Sequence, residues 1–79
     1  SNVNAASTIA VVPNPTTGNI AIMGVDHADL AIYNIIGQPV KSIKQANQIA
    51  IGDLPAGVYI VKLFNEQGMN IHTQRIIKQ

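Results

Sequence analysis

Apolar residues in this chain recur at every second position. Ile20 and Ile22, Leu30 and Ile32, Ile49 and Ile51, and Tyr59, Val61 and Leu63 each do so within a short run. A period of two sends alternate side chains to opposite faces of an extended backbone, so each run reads as a half-buried strand. β-branched residues populate these runs, and no segment carries a convincing helical period. The chain is expected to be all-β.

The breaks between runs carry turn chemistry. A short apolar run from Ile9 to Val12 ends at Pro13. Pro13-Asn14-Pro15-Thr16-Thr17-Gly18 follows, with two fixed φ angles and a glycine free to take positive φ. Ile20 and Ile22 then alternate with Asn19 and Ala21, and Gly24 to Ala28 reads as a polar break. Leu30 and Ile32 share one face, with Ala31 and Tyr33 on the other. Asn34-Ile35-Ile36-Gly37 has the form of a type I turn that returns into a strand over Pro39 to Lys44. There Val40 and Ile43 cannot both face inward without a bulge. Ile49 and Ile51 make a fifth pair, and Gly52-Asp53 starts the next crossing.

Towards the end, Tyr59, Val61 and Leu63 oppose Val58, Ile60, Lys62 and Phe64 across one strand. Asn65-Glu66-Gln67-Gly68 repeats the Asn-x-x-Gly hairpin signal, and Ile71 to Lys78 forms the last strand. Seven short strands at near-regular spacing predict a small antiparallel β-sandwich. Leu54-Pro55-Ala56-Gly57-Val58-Tyr59 has the form of a tyrosine corner, in which a ring enters the core and its hydroxyl bonds back to nearby backbone. That favours an immunoglobulin- or fibronectin-like sandwich; the alternative is an ordinary core tyrosine.

Composition narrows the functional classes. Seventy-nine residues make one domain, and with no cysteine its stability must come from apolar packing. Hydrophobic residues at 47% against charged ones at 11% suit that requirement. A net charge of +1 gives no footprint for nucleic acid or an anionic membrane surface. No apolar run is long enough to span a bilayer, and no signal peptide opens the sequence. Ser1-Asn2 reads as a vector-derived scar or as native chain, and the sequence is treated as a fragment. Residues 1–10 are expected to be a linker or upstream remnant with the start of the first strand, and residues 11–79 the domain.

Catalytic chemistry is hard to place. Asp26-His27-Ala28-Asp29 is the one cluster resembling a metal or acid–base site, and with no further ligand nearby in sequence a solvated loop explains it better. Ser42 and His72 would be a nucleophile–base pair without an elbow or oxyanion motif, and His72 reads better as an exposed strand residue. The glycines at 18, 24, 37, 52, 57 and 68 are scattered turn residues, which leaves no phosphate loop. No catalytic residue, metal or cofactor is expected. Arg75 and Lys78 read either as charges that keep an edge strand from pairing promiscuously or as groups read by a partner. Being an odd number apart, they point to opposite faces of a regular strand. Val58, Ile60 and Phe64 leave an apolar stripe for a preceding domain or a second copy, with edge pairing through Ile71 to Lys78 as the route to a weak homodimer.

Four pieces in order resemble a known family. They are Pro13-Asn14-Pro15 with Gly18, Leu30-Ala31-Ile32-Tyr33-Asn34 with Gly37 and Val40, Leu54-Pro55-Ala56-Gly57-Val58-Tyr59, and a basic terminal strand. Together they resemble the C-terminal sorting domain of the type IX (Por) secretion system, in its type A form, from about Val11 to the last residue. Asn34 stands where the family often has aspartate, and Gln79 follows the basic positions. The resemblance implies a non-catalytic address label on an upstream cargo domain. Such a label passes through the periplasm, engages the outer-membrane translocon, and is usually removed by a sortase-like peptidase. The cargo then stays at the cell surface or is secreted. Arg75, Ile76, Ile77 and Lys78 would be the part recognised, with Pro13, Asn14, Pro15, Gly18, Gly37, Leu54, Pro55, Gly57, Tyr59 and Gly68 shaping the fold. The alternative is a carbohydrate- or protein-binding accessory module, which two tyrosines and one phenylalanine equip poorly.

Overall fold

A computed structural model describes residues 9–79. The reading of residues 1–10 as a linker lies, up to residue 8, outside the described residues. Seven strands follow in order: β1 (Ala10–Val12), β2 (Asn19–Met23), β3 (Ala28–Asn34), β4 (Pro39–Ala46), β5 (Gln48–Ala50), β6 (Gly57–Phe64) and β7 (Asn70–Lys78). They form two antiparallel sheets, one of three strands ordered β1-β2-β5 and one of four ordered β4-β3-β6-β7. The chain is an all-β sandwich, and no helix occurs among the described residues.

Alternation decides which face of each sheet is covered. The three-stranded side contributes Val11, Ile20, Ile22 and Ile49, joined by Ile51 just beyond β5. The four-stranded side contributes Ala28, Leu30, Ile32, Tyr59, Val61, Leu63 and Ile76. Fully burying one such aliphatic side chain contributes about 1.5–3 kcal/mol, which is how a chain without disulfides reaches a folded state. Ala28 belongs to this core as the first residue of β3, so the polar break is one residue shorter than expected.

The two Asn-x-x-Gly hairpins have the same geometry. In each, the glycine amide donates to the asparagine carbonyl, at 3.0 Å for Gly37 and 2.9 Å for Gly68. Each glycine then takes positive φ, +91° and +81° respectively, and the chain re-enters the ladder at the next residue. This is a type I turn followed by a one-residue bulge, the common three-residue hairpin connection. The asparagine side chain supports it: Asn34 Oδ1 accepts from the amides of Ile36 and Gln38, and Asn65 Oδ1 from those of Gln67 and Met69.

β4 departs from the expected strand. Its pairing with β3 is interrupted twice, once opposite Ile32 and Tyr33, where Val40 is extra, and once opposite Asp29, where Lys44 and Gln45 face one residue. Gln45 takes φ of +50° there. Neither Val40 nor Ile43 becomes a core residue, at 38% and 39% exposed. β4 is an outer strand with no neighbour on one side, so its bulges bend an edge rather than rescue a buried face. Gly18 does not use the positive φ open to it. Its carbonyl accepts the Ile51 amide at 2.6 Å, and its Cα would lie 3.8 Å from a Cβ at Gly52. The two loops are in ordinary van der Waals contact, and a Cβ at Gly18 itself would meet no heavy atom within 4 Å.

Candidate recognition surface at the terminal strand

Tyr59 is the first buried residue of β6 and opens its inward row. Its ring is buried and its hydroxyl donates to the Pro55 carbonyl at 2.6 Å. The four-residue step from Pro55 to Tyr59 lets the phenol reach back over the corner at Gly57, so Leu54, Pro55, Gly57 and Tyr59 act as one unit. The tyrosine corner is present.

β7 lies at the other edge of the four-stranded sheet and meets the segment that precedes β2. Asn14 sits beside it as a surrogate strand: its Nδ2 donates to the Arg75 carbonyl at 3.2 Å and its Oδ1 accepts the Ile77 amide at 3.0 Å. Thr16 continues the seam as a parallel bridge to Lys78, with its amide on the Ile77 carbonyl at 2.9 Å and its carbonyl accepting from Gln79 at 2.8 Å. The favour is returned from β7. Gln74 Nε2 donates to the Val11 carbonyl at 2.8 Å and Gln74 Oε1 accepts the Val11 amide at 3.0 Å, capping the outer edge of β1. Two side-chain amides thus satisfy the facing edges of the two sheets. Pro13 and Pro15 flank Asn14 in this seam and, with no N–H, need no partner there.

Thr16 is the buried hinge of the arrangement. Its hydroxyl donates to the Asn19 carbonyl at 2.9 Å and accepts from the Gly18 amide at 3.2 Å, so a polar side chain that is fully covered leaves nothing unpaired. Sequence reasoning missed Thr16 and Gln74. A Thr-x-Gly step inside a proline-rich turn is a usable signal for the first. The second has none, because its partner Val11 lies 63 residues away.

The four expected recognition residues, Arg75 to Lys78, divide by parity. Arg75 and Ile77 are exposed, whereas Ile76 is fully buried and Lys78 is only 9% exposed. The Lys78 stem extends the inward row begun by Ile76, and its charge adds to the Lys41 hydrogen bond that chiefly holds the Asp53 carboxyl below its ordinary value. Lys78 is therefore placed as a packed residue, and substituting it tests the fold together with any recognition.

The other clusters are separated by the fold. Asp29 Oδ1 accepts from both the backbone amide and the side-chain amide of Gln45 at 2.9 Å, which lowers its pKa. His27 instead faces Glu66 at 3.9 Å, and among the described residues no three metal-ligating side chains converge. Ser42 lies on β4 and His72 on β7, at opposite edges of a four-stranded sheet and about 14 Å apart by strand spacing. They cannot form a pair. His72 is half-buried rather than exposed, with Nε2 at 2.9 Å from Gln74 Oε1.

The outer face of the four-stranded sheet is the remaining surface. Tyr33 pairs with Ile60, and Ile60 with Arg75, so one row runs across three strands. Lys62 Nζ stands 5.1 Å above the Tyr33 ring, a cation–π contact that covers one aromatic and fixes one cation. Val58, Ile60 and Phe64 on this face are half-buried by such neighbours.

Comparison with known proteins adds two findings. The sequence model of the family described as "Secretion system C-terminal sorting domain" matches residues 10–79. The chain is also similar to an endo-acting ulvan lyase of Formosa agariphila, 30% identical over 79 residues. That similarity covers 92% of this chain and 15% of the lyase.

Proposed function

The chain belongs to the family of secretion system C-terminal sorting domains, and from that membership we propose that it is the non-catalytic address of an exported precursor. It directs an upstream cargo domain from the periplasm through the type IX translocon of the outer membrane. A sortase-like peptidase then removes it, and the cargo remains at the cell surface or enters the medium. The observation that carries the reading is the family match from the first described strand to the last residue. The lyase similarity supports it: a shared region of 15% of a much longer protein suits an appended address better than a catalytic domain. The terminal strand is the part addressed to the machinery, with Arg75 and Ile77 outward and Ile76 and Lys78 holding the strand down.

The test is a fusion of residues 10–79 behind a periplasmic reporter protein, in a host that carries the system. The reporter should reach the surface or medium, shortened by removal of the domain. The same reporter without residues 10–79 should stay in the periplasm. Equal distribution of the two reporters would reject the sorting role.

A further inference from the structure

The seam on β7 bears on how a partner can read this domain. Strand addition needs a row of free backbone groups, and Asn14, Thr16 and Gln79 already engage the outward backbone of Arg75 and Ile77 and the end of the strand. The end of β7 is closed as an edge, while its outward side chains remain open on the sheet face. Around them that face is apolar. Ile60 and Tyr33 continue the Arg75 row, Val58 pairs with Ile77, and Ile35 and Ile36 stand 75% and 74% exposed at the hairpin that ends β3. A hollow of about 240 Å³ opens there, lined by Tyr33, Asn34, Ile35, Gly37, Ile60 and Lys62.

Charge defines what fits. Lys62 is held over Tyr33 beside this hollow, and Arg75 ends the row with no carboxylate within salt-bridge distance among the described residues. The carboxylate on the same face of β3, Asp29, lies four residues from Tyr33, roughly 13 Å along the strand, and is engaged by Gln45. The other three carboxylates belong to the loops at Asp26, Asp53 and Glu66. The patch is therefore an apolar floor with two cations and no anion of its own.

We propose that the outer face around Tyr33, Val58, Ile60, Arg75 and Ile77 is the docking surface of this domain, and that its partner is a protein surface presenting an apolar side chain flanked by carboxylates. The apolar side chain fills the hollow over Tyr33 and Ile60, and the carboxylates meet Lys62 at its edge and Arg75 one strand beyond Ile60. The proposal rests on the sorting role and names the surface that role uses.

The test uses the full-length precursor in its producing cells, with the exported fraction read by immunoblot of medium, surface and periplasm. Arg75→Glu and Ile77→Asp should each lower export roughly tenfold, the effect of losing one well-placed contact. Arg75→Lys should keep most of it, and Met23→Ser, on the other sheet, should change nothing. Unchanged urea midpoints of the purified variant chains show that folding is intact. Export of Arg75→Glu and Ile77→Asp at the parental level overturns the docking surface, whereas normal export of a precursor lacking residues 10–79 overturns the sorting role itself. A lipid partner is separated with phosphatidylglycerol vesicles: binding of the purified chain that Arg75→Glu abolishes would assign the face to a membrane and reject a protein partner.

Discussion

Tyr59 joins two requirements at one position, since its ring fills the core while its hydroxyl serves the Pro55 carbonyl at 2.6 Å. Tyr59→Phe keeps the ring and removes the donor, leaving a carbonyl under the corner unpaired. The expected cost is about 1–3 kcal/mol, read as a lower urea midpoint with an unchanged slope. An equal midpoint would mean that water replaces the hydroxyl and that the corner is only packing. Asn14 and Gln74 work differently. Each lends a side-chain amide to the backbone of an outer strand edge, and each does so across 61 to 63 residues of sequence. Such residues hold the sandwich closed on one side without adding a strand.

Among the elements, the two Asn-x-x-Gly hairpins are the most predictable. Gly37 and Gly68 both need the left-handed region, and no heavy atom lies within 4 Å of where a Cβ would stand. Gly37→Ala and Gly68→Ala should therefore each cost about 1–2 kcal/mol through backbone strain alone. Asn at either glycine position should recover part of that loss, because its side chain tolerates this conformation. Thermal unfolding of the four single variants checks both statements; an alanine variant as stable as its parent would mean that the turn relaxes. β4 shows the opposite behaviour. Its two interruptions, its leading Pro39, and Lys41 and Lys44 blunt an edge that would otherwise pair with another chain.

For the molecule as a whole, two carboxylates fasten this open edge to the rest. Asp29 receives the Gln45 backbone amide, which is the main cause of its lowered pKa, followed by the Gln45 side-chain amide. Asp53 accepts from the Lys41 ammonium at 2.6 Å, the main cause of its own lowering, while Lys41 also reaches the Ala50 carbonyl at 2.9 Å. Both groups are more acidic folded than unfolded. Their contribution is complete above the ordinary value of 3.8 and is lost as pH falls through the lowered folded values. Amide exchange in β4 should therefore accelerate, relative to β3 and β6, when the pH drops below about 4. Asp29→Asn should flatten that dependence near Gln45, and Asp53→Asn near Lys41. Equal pH dependence of exchange in β3, β4 and β6 would count against the two fasteners.

Most strands, the inward faces of the core, both glycine hairpins and the tyrosine corner were legible in local sequence. Each depends on a pattern within about ten residues: alternation in Leu30–Ile32 and Tyr59–Leu63, turn chemistry at Asn34–Gly37 and Asn65–Gly68, and a four-residue reach from Tyr59 to Pro55. Local backbone geometry leaves few alternatives at that range. Tertiary structure alone decided which strand ends are free. Arg75 and Lys78 look alike as terminal basic residues, yet one is exposed and the other is packed behind Ile76. The β7 edge looks open from its own sequence and is capped by Asn14 and Thr16, whereas β4 runs through the middle of the chain and is the outer strand. These outcomes depend on which distant segments meet when two sheets close over one core, and no local periodicity encodes that meeting.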